Sequence, residues 1–432
     1  MVSIFIRSAL LAATWFVPSL VLATDAAPLT LTAAVQRAVT QSRLLESASW
    51  QTRAAREMAV AADQLPDPVL KFGVNNLPIN GEDRFSLTRD FMTMRSIGVM
   101  QELTREDKRR ARATRSGKEA EIAETKQTLI QSQVQQQSAV AWLERYYQEQ
   151  SLALLMRQRD EARLQIEAAD AAYRGGRGAQ SEVFSARSML AQMDDRIAMA
   201  QRLLASAKVQ LERWIGAVAE QVLADLPPLD TPRLNKTNLE AELLHHPQIV
   251  VMLKQEERAL ADAELARANQ KSDWSLELMA SQRGSAYSDM LSVNVSVPLQ
   301  WDPKNRQDRE LAAKLATVAQ LGAEREDAVR AHAAEVRAML QEWQSNQARL
   351  KHYDETLLPL TTERTRAALA VYRGASSTGA SLGAVLESRR AELDAGLERL
   401  RLAMETARVW AQLNYLTPHS LDAALSKPKQ GK

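Results

Sequence analysis

One structural plan is written twice along this chain. Tyr173-Arg174-Gly175 in the first half is answered by Tyr372-Arg373-Gly374 in the second. Residues 96–108 (SIGVMQELTREDK) are answered by 292–304 (SVNVSVPLQWDPK), and Asp67 in LPDPVLKFGV by Asp273 in KSDWSLELMA. The offsets are 199, 196 and 206 residues, with 202 between Val183 and Val385. Offsets that drift only by loop-sized amounts imply tandem duplication. A period near half the chain is too long for a stacked solenoid. It implies two equal halves that need each other, or further copies, to complete a structure.

Each half contains one very long helix. No proline occurs between Pro78 and Pro227 or between Pro303 and Pro359. Within the first gap, Ile122, Leu129, Ile130, Val134, Leu143, Tyr147, Leu154 and Leu155 recur at helical spacing among Gln, Arg and Glu. Residues 105–173 therefore read as a single helix of roughly 100 Å. Residues 305–372 form its counterpart, which Pro359 should kink or locally break. Two shorter helices are expected in each half, at 32–63 and 180–214 and at 239–270 and 381–415. Laid end to end they match one long rod, so each half reads as a long helix beside a column of two short ones, packed as coiled coils.

A different period separates the first short helix from the long one. Trp274, Leu276 and Leu278 alternate with Ser275, Glu277 and Met279. Leu291, Val293, Val295, Val297 and Leu299 alternate with Ser292, Asn294, Ser296 and Pro298. The first half repeats this less cleanly, with Leu70, Phe72 and Val74 against Lys71, Gly73 and Asn75, and Ile97 and Val99 against Ser96, Gly98 and Met100. Strands are expected at about 69–77, 95–103, 274–283 and 290–299. Strands of this length, apolar on one face and polar on the other, suit a transmembrane β-barrel; a soluble hairpin packed on the helices is the plainer alternative. Four strands cannot close, and an open edge in lipid is prohibitive. The barrel is therefore expected to be shared, three chains supplying twelve strands under cyclic symmetry.

The chain ends bound the setting. Arg7 precedes an apolar run at 9–22, and Val21-Leu22-Ala23 offers a small-residue cleavage site, so residues 1–23 read as an export signal peptide. No other run reaches 18 apolar residues. The expected layout is a first repeat at 24–216, a linker at 217–238 carrying Pro227, Pro228 and Pro232, a second repeat at 239–417, and a polar, disordered tail at 418–432. With no cysteine there is no disulfide, thiolate metal site or lipidated N-terminal Cys. A net charge of +2 gives no argument for nucleic acid. No catalytic triad or phosphate loop occurs, and no cofactor is expected. His245-His246 lacks a chelating partner one turn away and reads as structural; His332, His352 and His419 are scattered. Met92 and Met94 have soft thioethers that could ligate copper, but read first as loop or rim residues.

The doubled helix–strand–strand–helix–helix plan, LPDP before the first strand, His246-Pro247-Gln248 opening a helix and the paired Tyr-Arg-Gly turns together resemble a TolC-type outer-membrane efflux factor. The resemblance covers essentially the whole mature length. It implies a mainly α fold with a β-barrel part: a homotrimer with a twelve-stranded barrel in the outer membrane of a Gram-negative bacterium and an α-helical tunnel across the periplasm. It further implies a passive, non-enzymatic duct docked on a periplasmic adaptor (membrane fusion) protein and an inner-membrane resistance-nodulation-division pump. Residues 85–112 resemble members serving heavy-metal pumps, which points to copper, silver, zinc, cobalt or cadmium as cargo. A multidrug or type I secretion duct is the alternative within the class. A periplasmic coiled-coil or adaptor protein is the alternative outside it, and would not need the paired alternating strands.

The same resemblance places Tyr173, Arg174, Gly175, Gly176, Tyr372, Arg373 and Gly374 at periplasmic tips that dock the adaptor. It makes Glu387 a candidate gate carboxylate, with Glu182 its counterpart after the first tip and Ala384 standing where a second acidic residue occurs in the family. A helix glutamate paired with Arg389 or Arg390 is the plainer reading of Glu387. The second tip is three residues longer than the first, so the copies differ most near Glu387. Lys71, Asn75, Ser96, Ser275, Glu277, Ser292, Asn294 and Ser296 are expected to face the barrel lumen.

Overall fold

The computed structural model describes residues 27–176, 178–233, 243–374 and 382–419. Residues 1–26, which hold the expected signal peptide, and the expected tail from residue 420 onward lie outside the described residues, as do 375–381 of the second tip.

The first repeat runs α1 (Leu31–Gln41), α2 (Arg43–Ala62), β1 (Val69–Asn75), β2 (Met94–Leu103), α3 (Glu106–Arg174) and α4 (Gln180–Ile215). The second runs α5 (Pro247–Ala268), β3 (Trp274–Gln282), β4 (Met290–Ser296), α6 (Gln307–His352), α7 (Leu358–Gly374) and α8 (Leu382–Asn414). At 69 residues, α3 is a rod of roughly 100 Å. Glu106 and Asp107 in its first turn and Arg174 in its last oppose the helix macrodipole favourably. Gly176, at φ 67°, then reverses the chain in a conformation that costs a larger residue a steric penalty.

Three expected elements are modified. The helix expected at 32–63 is two, because Ser42 is extended and its hydroxyl accepts from the Leu45 amide at 3.2 Å, capping α2. The rod expected at 305–372 begins at Gln307 and is interrupted by a π turn, Tyr353–Leu357, in which the Leu358 amide reaches back to the Tyr353 carbonyl. Pro359, with no N–H, follows at once, so the widened turn lies where the ordinary ladder fails. Strand β4 stops at Ser296, short of the expected 299; Pro298 has no N–H to offer a ladder there. Part of the helix expected at 239–270 lies outside the described residues, and α5 begins at Pro247 with His246 as its N-cap.

The four strands form one antiparallel sheet in the order β1-β2-β3-β4. Val69 stands opposite Met100 in the first hairpin and Ser275 opposite Ser296 in the second. Those pairs are related by 206 and 196 residues, the offsets that relate Asp67 to Asp273 and Ser96 to Ser292. The duplication is therefore preserved to the single residue in strand pairing, where a slip of one would exchange the faces.

The helices stand in the same lateral order. Helix α3 packs against α2 and α4 on one flank and α5 and α8 on the other, while α6 and α7 pack against α5 and α8. The main core lies at mid-height. Trp142, fully buried, donates its indole N–H to the Leu29 carbonyl at 3.1 Å. Leu29 pairs with Leu223 as an isolated parallel bridge. Buried Arg145 donates to the Ala219 carbonyl, to the Gln221 carbonyl at 2.8 Å and to Glu149 at 2.8 Å. The segment expected as a plain linker is thus a packed strap: Leu223, Leu226 and Leu229 lie on this core, and the Thr231 carbonyl accepts from Trp410 at 3.3 Å. His419 likewise exchanges two 2.8 Å hydrogen bonds with buried Gln135.

Nearer the sheet, charges replace apolar contacts. Lys118 bonds Glu121 and Glu257 at 2.9 Å each, and Lys254 bonds the same two carboxylates at 2.8 and 3.0 Å, tying α3 to α5. The hydrogen bonds from Lys254 and Lys118 hold the Glu121 carboxyl below its ordinary value, and the bond from Lys118 does so for Glu257 against the opposing effect of burial. Both depressions stabilise the fold above the ordinary carboxylate value of 4.5, and that stabilisation is lost as pH falls through the lower folded values. Combining Glu121→Gln with Glu257→Gln should flatten the acid side of a stability–pH curve below about pH 4.5. An unchanged slope in denaturant melts across that range would assign the acid response elsewhere.

Candidate functional site: the two sheet faces and the helical tips

Strand register sorts the side chains into two faces. Lys71, Asn75, Ser96, Ser275, Glu277, Ser292, Asn294 and Ser296 all fall on one of them, accompanied by Met94, Met100, Met279 and Met290. Lys71 stands opposite Gly98, and Gly98 opposite Met279. With no side chain on Gly98 to block it, Lys71 Nζ crosses β2 to reach Glu277 Oε2 on β3 at 3.1 Å. A Cβ at Gly98 would come within 2.8 Å of the Leu278 carbonyl, so strand packing also requires glycine there. Asn75 Nδ2 donates to Ser96 Oγ at 2.9 Å on the same face.

The other face carries Leu70, Phe72, Val74, Ile97, Val99, Trp274, Leu276, Leu278, Leu291, Val293 and Val295, all exposed in the isolated chain, with Phe72 82 % exposed. Arg95, Gln101 and Gln282 interrupt it, Arg95 and Gln282 at the end far from the helices. No helix among the described residues is long and apolar enough to cross a membrane.

Asp273 joins sheet to rods. Just before β3, it accepts from the Arg105 amide at 3.0 Å and from Lys108 Nζ at 2.5 Å, at the start of α3. Burial works to raise its carboxyl, and the bonds from Lys108 and the Arg105 amide outweigh it, leaving the group below its ordinary value.

At the far end, Tyr173, Arg174, Gly175, Gly176, Arg373 and Gly374 are exposed, while Tyr372 is half-buried. Tyr372 lies against a small core of Ala169, Val183, Ala186, Leu382, Val385 and Leu386. The equivalent residues Val183 and Val385 meet in that one core, which holds the two tips together. Glu182 is engaged in the same linkage: Oε1 accepts from the Leu382 amide at 3.2 Å, capping the start of α8 across 200 residues of sequence. Glu387 is exposed and pairs at 3.3 Å with Arg364 of α7 rather than with Arg389 or Arg390. Arg389 instead bonds Glu161 at 2.7 Å, and Arg390 lies near Asp394 at 3.8 Å. Arg364 carries no sequence signal, since its partner lies on another helix. Sequence reasoning also missed the bidentate clamp of Arg399 on Asp354, 2.9 Å at both contacts, which ties the π turn to α8.

His246 is buried, with its ring centroid 4.2 Å from that of His332. Burial, reinforced by His332, pushes its pKa down to about 4, and its Nδ1 accepts from the Gln248 amide at 3.4 Å. These placements fit a structural cap. No grouping of three or more His, Cys, Asp or Glu side chains able to hold a metal occurs among the described residues. Met92 is exposed in the β1–β2 loop and Met94 opens β2.

No protein-family model and no curated protein sequence matches the chain. Solved structures do. The outer-membrane channel OprN superposes with a TM-score of 0.73 at 19% identity, covering 90% of each chain. The outer-membrane protein VceC of Vibrio cholerae gives 0.72 at 16%, covering 89% of this chain and 95% of VceC. CusC, in which conformational changes accompany folding and transmembrane channel formation, gives 0.71 at 16%, covering 90% of this chain and 92% of CusC. The chain has the fold of outer-membrane channel proteins: duplicated helical rods topped by a small sheet.

The Glu182 contact predicts a local effect. Glu182→Ala removes an acceptor from the start of α8 and should weaken that turn by about 1 kcal/mol, or roughly fivefold faster amide exchange at 382–386. Exchange elsewhere should stay unchanged. Unaltered protection of those amides would mean that the cap contributes nothing.

Proposed function

We propose that this chain is the outer-membrane component of a tripartite efflux system, a passive homotrimeric duct that passes heavy-metal cations from the periplasm to the exterior. The observation that carries the reading is the sheet. It has one polar face, one exposed apolar face and two unpaired edges, at one end of a helical rod of about 100 Å. Lipid accounts for the apolar face, and pairing between copies accounts for the edges, because unpaired backbone groups in hydrocarbon cost several kcal/mol each. Three copies make twelve strands, and the face holding Lys71, Asn75, Ser96, Ser275, Glu277, Ser292, Asn294 and Ser296 then lines the lumen. The rods form a tunnel below it. The signal peptide supplies export, and the duct needs no cofactor and performs no covalent chemistry.

The exposed Tyr173, Arg174 and Arg373 fit the docking tips for a periplasmic adaptor, which would couple the duct to an inner-membrane resistance-nodulation-division pump; aromatic and Arg side chains are frequent anchors at interfaces. Three Glu387 carboxylates near a threefold axis would sum their fields and attract cations. The Arg364–Glu387 pair, between exposed partners, is worth little energetically and can be exchanged as α7 moves. The cargo rests on residues 85–112 and their resemblance to heavy-metal members; OprN, VceC and CusC are alike in fold to this chain to the same degree, so the fold does not choose among cargoes.

A deletion strain should become more sensitive to at least one of copper, silver, zinc, cobalt and cadmium. Unchanged tolerance to all five together with lost export of a drug or polypeptide would transfer the duct to another cargo. In planar bilayers the purified protein should form pores, and Glu387→Gln should alter conductance or divalent-cation block; identical traces would remove Glu387 from the gate. Arg174→Glu combined with Arg373→Glu should weaken crosslinking to the adaptor while leaving the oligomer intact.

A further inference from the structure

Where the two halves meet inside one chain, β2 lies beside β3, with Met100 opposite Glu277. Immediately below that pair Asp273 grips Lys108 at 2.5 Å. The duplication maps β2 onto β4 and β3 onto β1, and the hairpin registers fix that mapping to the residue. Met100 maps onto Ser296, Glu277 onto Lys71, Asp273 onto Asp67 and Lys108 onto Lys304. Strands β4 and β1 are the opposite edges of the sheet, three strand spacings or roughly 14 Å apart, so one chain cannot make the image of this contact by itself.

We propose that a second copy of this chain makes it: β4 of one copy pairs antiparallel with β1 of the next, Ser296 opposite Lys71, and Lys304 of the first copy bonds Asp67 of the second. The inference rests on the reading of a barrel closed between copies, and adds its register and its lock. Asp67 and Lys304 are both exposed, and neither has a hydrogen bond or ion pair among the described residues. Their images Asp273 and Lys108 keep only 11 and 16 % of their side chains exposed. The charges are complementary and in the same order.

The register is also consistent across both faces. It sets Ser292 against Asn75 and Asn294 against Gly73 on the polar face, and Val293 against Val74 and Val295 against Phe72 on the apolar face. A shift of one residue would bring polar side chains against apolar ones at every step. Trp301, the image of Arg105, is 86 % exposed in the isolated chain and comes to lie beside the neighbouring copy. One part of the contact does not transfer. Helix α3 starts at Glu106, whereas α6 starts at Gln307, five residues beyond the image position. The amide donated by Arg105 therefore has no helical counterpart, and the ion pair carries the image contact.

The chain has no cysteine, so introduced pairs report cleanly. With the full-length protein extracted from outer membranes, Ser296→Cys would be combined in turn with Val69→Cys, Lys71→Cys and Gly73→Cys, three positions on one face of β1. Mild oxidation should give covalent oligomers most strongly with Lys71→Cys. A maximum at either flanking position would overturn the register while leaving the closed barrel intact. Absence of crosslinks at all three in membrane-extracted oligomer would overturn the pairing of β4 with β1, whereas recovery of the protein only from the soluble fraction would instead overturn the barrel reading. For the lock, Asp67→Lys and Lys304→Asp should each lower the temperature at which the oligomer dissociates in detergent, and the double exchange should restore it. Failure of the double exchange to restore what the single ones lose would remove the ion pair.

Discussion

Two unpaired strand edges are the constraint on which this structure turns. An antiparallel sheet of four strands satisfies its inner backbone groups and leaves a row of donors and acceptors on β1 and another on β4. Water can solvate such edges, but it cannot make a face of Leu, Phe, Val and Ile favourable to expose. Hydrocarbon reverses both preferences: it accepts the apolar face and forbids the open edges. The proposed closure onto further copies within a membrane satisfies both requirements at once. The duplication makes that closure geometrically simple, because the junction between copies can repeat the junction already present between β2 and β3.

The helices meet a different requirement. A rod of 69 residues cannot be held by a single core, and three separate clusters hold it instead, at mid-height, between mid-height and the tip, and at the tip itself. Between the mid-height core and the sheet, the Lys118–Glu121–Lys254–Glu257 group takes over. Mid-height is also where non-helical chain is packed, through Leu29, Leu223 and the Arg145 hydrogen bonds to backbone carbonyls. By contrast α7 buries only Thr365 among its described side chains and is fastened by surface ion pairs and the Arg399–Asp354 clamp. Ala368, Leu369 and Tyr372 of α7 add partly buried contacts to the small core shared by the two tips.

Much of the fold was legible in the chain. The limits of α3 were readable to within a residue, because a proline-free run with helical periodicity ends at paired glycines. The face assignment of the eight polar strand residues followed from period-two alternation alone. The break at Ser42 was not legible, since a serine within an otherwise helical pattern carries no mark that it will cap rather than continue the helix. The partners of Glu387 and Glu182 were not legible either. Local spacing suggested Arg389 or Arg390 for Glu387, but Arg389 is drawn away by Glu161, and Arg364 is brought close by the packing of α7 on α8. Glu182 was expected as the counterpart of Glu387 at the gate, and its carboxylate caps the start of a helix 200 residues on.

The sequence by itself determined most of the elements, their doubled order and which strand residues share a face. These depend on short-range periodicity and on residue type at turns, and the duplication states them twice. Only the tertiary structure decided which charged groups meet. Contacts such as Asp273 with Lys108, Lys71 with Glu277 and Glu182 with the Leu382 amide join residues 165 to 206 positions apart. Their existence depends on the lateral order of strands and helical columns, which no local pattern encodes.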